Sequence, residues 1–149
     1  MLDEGFNINF EYTPPGSPQY NGVVERDFPA IYGKVRATFN AAGIDEDKKL
    51  KLWTECASTI CKLDNMSIKN DHTNKSPYEM IFNKTPTYAN KLRTFGEMAI
   101  VRDIKQNIKS KLQNKGLEAI FIGYPDNHAS DVYRFLILKT HKIVMSKDI

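Results

Sequence analysis

Glu25 is the residue whose type and setting most readily indicate chemistry. It follows the loop SPQYNG, residues 17–22, and it stands at the start of a stretch with helical periodicity. A carboxylate held just inside a helix, beside a glycine-containing loop, is a common way to bring an acid to a metal site. Two-metal phosphoryl transfer needs about three such carboxylates around two Mg²⁺ ions. The alternative is that Glu25 only interacts favourably with the positive end of the helix.

Two long helices are predicted after this loop. The apolar face of the first is formed by Val24, Phe28, Ile31, Val35 and Phe39, and the pattern closes near Ala42 and Gly43. Pro29 lies inside this helix and removes one backbone donor, so a kink or a break is expected there. The second helix runs from about Asp45 to Asp64, and its predicted apolar face consists of Leu50, Trp53, Ala57, Ile60 and Cys61. Trp53 is expected to be a core aromatic.

Two shorter elements flank these helices. Residues 8–12, INFEY, alternate apolar and polar side chains and predict a strand, which the prolines and glycine of TPPGSP end. Residues 76–79, SPYE, form a predicted capping box with Pro77 at the first helical position. The short helix that begins there is expected to end near Phe82.

After about Leu92 the apolar period changes from helical to two. Four short strands are predicted: Met98–Val101, Ala119–Tyr124, Val132–Leu138 and Lys142–Met145. Together they indicate a small antiparallel barrel or meander, with Tyr124 and Tyr133 filling it. The chain is therefore predicted to be α+β.

The charge is unevenly distributed. Residues 1–90 carry 10 Lys and Arg against 12 Asp and Glu, whereas residues 91–149 carry 11 against 6, which leaves +5. Four lysines of the second part, Lys105, Lys109, Lys111 and Lys115, lie in one segment with Arg93 and Arg102 nearby, and such a cluster could contact phosphates. The alternative is a solvated loop between strands. Nothing in the sequence resembles a base-reading motif.

Several classes of protein are not indicated. No apolar run approaches the roughly 20 residues of a membrane span, and the N-terminus lacks the pattern of a secretory signal, so a nuclear or cytoplasmic location is expected. Cys56 and Cys61 suggest two buried or half-buried thiols in a reducing compartment. The three histidines, His72, His128 and His141, lack metal-ligand spacing.

Several segments, in order, resemble those of retrotransposon integrases of the Ty1/copia type. The segments are PQYNGVVER (18–26), LWTECA (52–57), SPYE (76–79) with KTP (84–86), LRTFG (92–96), FIGY (121–124), DVYR (131–134) and SKDI (146–149). Any one of them is weakly specific, but seven in the right order are specific.

The resemblance implies a fold, an activity and partners. Residues 1–90 would be the C-terminal part of an RNase H-like catalytic core, with INFEY as its last strand, and residues 91–149 would be an SH3-like β module. Such a core carries an Asp, Asp, Glu triad, uses Mg²⁺ or Mn²⁺, and joins element ends to target DNA, in the intact protein as a homo-oligomer. Glu25 matches the glutamate of that triad. Asn21 and Arg26 would then lie beside the DNA.

Two departures from the family limit this expectation. The two aspartates of the triad have no match here, and Asp3 lies too close to Glu25 to be one of them. Asp27 and Pro29 also stand where many relatives carry basic or polar residues. One carboxylate cannot hold two Mg²⁺ ions, so this chain alone is expected to bind no metal and to be inactive unless aspartates come from outside it. The alternatives are a non-catalytic nucleic-acid-binding module or a decayed element remnant.

Overall fold

The computed structural model describes residues 12, 14–16, 22–86, 91–102, 116–129 and 131–147, without the side chain of Val23. These residues form three helices followed by a four-stranded antiparallel sheet, in agreement with the predicted α+β class. The predicted strand INFEY lies outside the described residues except for Tyr12, which is exposed. Within the described part, no helix combines the length and apolar character needed to cross a membrane.

Three helices form the first part of the chain: α1 (Gly22–Ala41), α2 (Glu46–Ser67) and α3 (Pro77–Phe82). The α1 helix continues through Pro29, so the expected break is absent. It ends where Gly43 adopts a left-handed conformation, which favours glycine. The predicted capping box at α3 is confirmed, because the Ser76 side chain accepts from the Glu79 backbone N–H while the Glu79 carboxylate accepts from the Ser76 N–H at 2.9 Å.

The sheet is a meander in which each strand pairs with the next along the chain. Its strands are β1 (Met98–Arg102), β2 (Gly116–Gly123), β3 (Tyr133–Ile137) and β4 (Ile143–Ser146), in the order β1-β2-β3-β4. All three pairings are antiparallel, and the register of β2 and β3 shifts between Phe121 and Gly123. The four predicted strands are thus confirmed, with ends that agree to within three residues.

Each face of the sheet has its own apolar core. On one face, Ile120, Ile122 and Leu136 pack with residues of α1 and α2, namely Val35, Phe39, Leu52, Cys56 and Ile60, and with Phe95. On the other face lie Val101, Ala119, Phe121, Tyr133, Phe135 and Ile137. Tyr133 is buried and Tyr124 packs beside it, as expected. The alternation of side chains along each strand divides the two cores.

The predicted inward face of α2 is only partly correct, since Ile60 is buried and Ala57 packs against the core as expected but the rest of the buried face differs. Leu50 and Trp53 are exposed, and the buried residues of this helix are Leu52, Cys56, Thr59 and Ile60. The buried face lies roughly a quarter turn around the helix from the predicted one. Both faces of α2 carry apolar residues, and the face that contacts the sheet is the one that is buried. The expected burial of the two thiols is confirmed, because Cys56 is buried and Cys61 is half-buried.

Candidate functional site: the start of α1 and the junction of helices and sheet

Glu25 lies in the first turn of α1, three residues after the helix begins. Its side chain is exposed, and the neighbouring Arg26 and Asp27 are exposed as well. The helix fixes the backbone of Glu25, while the side chain remains open to solvent and to any partner that approaches this end of α1.

A complete metal site is not formed by the residues that the structure describes. No three acidic, histidine or cysteine side chains among them gather closely enough to hold an ion. Asp27 follows Glu25 by two positions, so the two carboxylates point to different sides of the helix. Asn21, Asp3 and the last two residues lie outside the described ranges. Glu25 can therefore supply one ligand, but these residues do not fit a two-metal centre by themselves.

The expected phosphate-contacting residues are only partly described. Lys105, Lys109, Lys111 and Lys115 lie outside the described ranges, and Arg102 is exposed at the end of β1. Arg93 is engaged within the chain instead. Its Nη1 lies 3.1 Å from Glu97 Oε1, and its guanidinium carbon lies 5.5 Å from the centre of the Tyr133 ring. Arg93 therefore holds the start of the sheet in place.

An apolar surface lies exposed between Val24 and Tyr32 of α1 and between Leu50 and Trp53 of α2. It consists of Val24, Phe28, Tyr32, Leu50 and Trp53, and we call it the outer face. Its rings form a ladder, with centroids 6.4 Å apart for Phe28 and Tyr32 and 6.3 Å apart for Tyr32 and Trp53. A groove of about 540 Å³ runs beside Tyr32 and Trp53. Contiguous exposed apolar surface of this kind is unusual on a protein that has no further contacts there.

The opposite side of α2 is joined to the sheet by polar contacts as well as by the apolar core. Arg134 of β3 donates two parallel hydrogen bonds to Glu55 of α2, from Nη1 to Oε2 at 2.6 Å and from Nη2 to Oε1 at 2.9 Å. One turn further along α2, the Thr59 hydroxyl lies 3.3 Å from the Ile122 carbonyl oxygen. Lys62 then bonds Asp126 Oδ1 at 2.6 Å. Three polar contacts therefore lie in succession along α2 where it packs on the sheet and the loop after β2.

Two glycines permit this close approach. A Cβ atom on Gly123, whose φ is +143°, would lie 2.7 Å from the Thr59 hydroxyl oxygen. A Cβ on Gly96, whose φ is +83°, would lie 2.5 Å from the Cβ of Ala42, just after α1 ends. Beside it the rings of Phe39 and Phe95 meet edge to face at 6.0 Å. A larger residue would thus not fit at Gly123, where α2 touches the sheet, or at Gly96, where the segment before β1 touches the end of α1.

A cavity of about 310 Å³ lies where α2, α3 and the loop after β2 meet. Its polar lining is largely engaged within the chain, since Lys62 bonds Asp126 and the Tyr124 hydroxyl accepts from the Arg93 N–H at 2.9 Å. Burial raises the pKa of the Tyr124 hydroxyl, although the hydrogen bond from Arg93 acts in the opposite direction. The cavity is best explained as part of the junction.

The sequence did not predict the partners of Glu55 and Arg134. Both residues stand inside segments that carry the family resemblance, LWTECA and DVYR, and both interrupt an apolar pattern. A charged residue in such a position needs a partner when it is buried. That pattern could have indicated a pair, but the choice of partner requires knowledge of how α2 crosses the sheet.

Comparison with known proteins agrees with the motifs. Residues 98–149 match the family described as Retroviral polymerase SH3-like domain. Over 142 residues, 95% of this chain, the sequence is 33% identical to the retrovirus-related Pol polyprotein from transposon TNT 1-94 of Nicotiana tabacum. The chain spans 10% of the length of that relative. No solved structure matches the chain significantly.

The two matches cover different lengths of the chain. The family match covers the whole sheet, and the polyprotein match extends through the helices and their motifs. The chain therefore belongs to the Ty1/copia-type retrotransposon family as an integrase-related fragment, and its residues 98–149 are a retroviral polymerase SH3-like domain.

Proposed function

We propose that this chain is the C-terminal part of an integrase catalytic core together with its SH3-like domain. The intact protein would join element ends to target DNA, with Glu25 as the third carboxylate of its active site. The observation that carries the proposal is the exposed position of Glu25 in the first turn of a helix whose adjacent apolar face is uncovered. Homo-oligomeric assembly and a nuclear or cytoplasmic location belong to the same proposal.

The outer face supports an incomplete core. Phe28 is 48% exposed and Trp53 is 43% exposed, and both lie on the same side of the helix pair as Val24. A helix of a globular domain normally buries such a stripe against a second layer. The remainder of an RNase H-like sheet would supply that layer. It would also bring its two aspartates near the start of α1, where Glu25 stands.

The described residues supply only part of the metal site that the proposal implies. The described residues supply one exposed carboxylate at this position and no set of three possible ligands. When bound in the intact protein, Mg²⁺ or Mn²⁺ would polarise the reacting phosphate oxygens. The contribution of this chain is to hold Glu25 on a rigid helix. Alone, it is expected to bind neither ion tightly.

Strand transfer by a longer protein tests the proposal. The longer protein would include the polyprotein segment that precedes this chain, and it would be assayed with Mg²⁺ or Mn²⁺ on DNA that mimics element ends. Glu25→Gln is expected to abolish joining. Asp27→Asn removes an exposed acid of the same helix and is expected to leave joining within about threefold, so it is the matched control. Equal loss in both variants, or activity that survives Glu25→Gln, would contradict the role of Glu25.

A second candidate function is nucleic-acid binding without catalysis. It is favoured by the net charge of +5 in residues 91–149, from 11 basic and 6 acidic residues. Replacement of Lys105, Lys109, Lys111 and Lys115 by Gln is expected to weaken DNA binding and to lower its dependence on salt. The matched control replaces four exposed lysines of the helical part: Lys51, Lys69, Lys75 and Lys84. Binding that neither set changes would contradict the role of the four lysines, and no binding together with no folded signal would favour a decayed remnant.

A further inference from the structure

The pair of Glu55 and Arg134 joins the middle of α2 to the second residue of β3. The two hydrogen bonds are parallel, at 2.6 and 2.9 Å, and only 20% and 26% of the two side chains are exposed. On the same face of the sheet, Ile122 and Leu136 contribute to the apolar core that α2 covers. A bidentate ion pair therefore lies at the edge of the apolar core between α2 and the sheet.

Apolar burial holds α2 on the sheet but does not fix its angle. The hydrophobic effect depends on the area removed from water and has no preferred direction. A guanidinium bonded through two nitrogens to both oxygens of a carboxylate has a defined plane and direction. Rotation of the sheet about the contact would break at least one of these bonds, so the pair can select one angle among several that bury similar area.

The pair is poorly arranged for a purely stabilising role. Arg134 Nε is buried and finds no hydrogen-bond acceptor among the described residues. A buried donor without a partner opposes folding, and partly buried ion pairs often stabilise less than apolar residues of similar volume. An orienting role accounts for a charged pair at a position where apolar residues would fit.

We infer that Glu55 and Arg134 are positioning residues that set the orientation of the SH3-like domain on α2. Because α1 packs in the same core as α2 and the sheet, the pair also sets where the domain stands relative to the start of α1. The importance of that position for DNA joining rests on the proposed function, but the orientation itself does not. The test below therefore uses no activity assay.

Amide residual dipolar couplings measured on the whole chain, labelled with ¹⁵N, test the inference. In the unchanged chain, the couplings of α2 and of the sheet should fit one alignment tensor with the orientation described here. Glu55→Gln and Arg134→Lys should each keep both cores folded and shift the sheet relative to α2. The exchange of the two charges, Glu55→Arg with Arg134→Glu, should restore most of the original orientation.

The matched control is Lys62→Gln, which breaks a second ion pair between the same two parts. Its partner Asp126 is exposed, so little orientational effect is expected. The inference is wrong if Glu55→Gln and Arg134→Lys leave the orientation unchanged, or if Lys62→Gln shifts it equally. If Glu55→Gln unfolds the chain, Arg134→Lys and the charge exchange decide, because both keep a cation opposite an acid. If a longer protein keeps this orientation but shows no strand transfer, that result contradicts the proposed function and leaves the inference about orientation standing.

Discussion

The two ends of the apolar stripe of α1 differ in how completely they are covered. Phe39, near the end of α1, is 3% exposed and touches Phe95, whereas Phe28 on the same predicted stripe is 48% exposed. Both were predicted from one apolar periodicity. One end of the stripe packs on the sheet of this chain, and we propose that the exposed end packs on a second layer, the rest of the catalytic core.

Truncation of the two phenylalanines tests this contrast most directly. Phe39→Ala should lower the free energy of unfolding by about 3–5 kcal/mol, because it leaves a cavity in the core shared by helices and sheet. Phe28→Ala should lower it by less than about 1 kcal/mol in this chain, because its ring is already half exposed. Urea denaturation of the two variants measures both values. Similar losses would show that the outer face is covered in solution.

The two thiols of α2 likewise differ in burial. Burial raises the pKa of Cys56 to about 11, with a smaller opposing effect of a hydrogen bond from Thr38. At about pH 8 such a thiol is ionised in roughly one molecule of a thousand. Alkylation followed by mass spectrometry should therefore modify the half-buried Cys61 at least about a hundredfold faster than Cys56. Equal rates would indicate that α2 separates readily from the sheet, and denaturant should abolish any difference.

Gly123 tests how closely α2 contacts the sheet. Gly123→Ala should cost about 1–3 kcal/mol, because the new methyl group would lie against Thr59 and because φ is positive. Gly33→Ala is the control, since the position is helical and has open space around it. That change should stabilise the chain by roughly 0.5–1 kcal/mol. Thermal or urea unfolding gives both signs, and a neutral Gly123→Ala would mean that α2 stands further from the sheet.

A small effect is expected at α3, which contributes no residue to either of the two cores. Ser76→Ala removes the cap and should cost about 1 kcal/mol. The hydrogen bond from the Ser76 backbone N–H lowers the pKa of Glu79 below its ordinary value. A lowered carboxyl pKa stabilises the fold above the pKa of the unfolded chain, and this contribution is lost as the pH falls through the folded pKa.

The matching measurement compares the unfolding of Glu79→Gln with that of the unchanged chain from neutral pH down to about pH 3. The variant should lose less stability on acidification, because glutamine does not titrate. If the two curves remain parallel, the Ser76 N–H does not hold the Glu79 carboxylate in solution.

Secondary structure could be predicted well because it depends on residues that are neighbours in the sequence. The capping box at Ser76, the two long helices and the four strands follow from periodicity, caps and turns, and the structure confirms them. The position of Glu25 at the start of a helix was likewise predicted. Its metal partners could not be found, because the described residues contain no set of ligands around it.

The sequence by itself determined which segments are helix or strand and to which family the chain belongs, since these depend on residue type and order. Only the tertiary structure decided which side of α2 is buried, because Leu50 and Trp53 make as good an apolar stripe as Leu52 and Cys56. It also decided that Glu55 meets Arg134 across 79 positions of the chain. The physical reason is that burial and ion pairing depend on the surface opposite a residue, which local sequence does not specify.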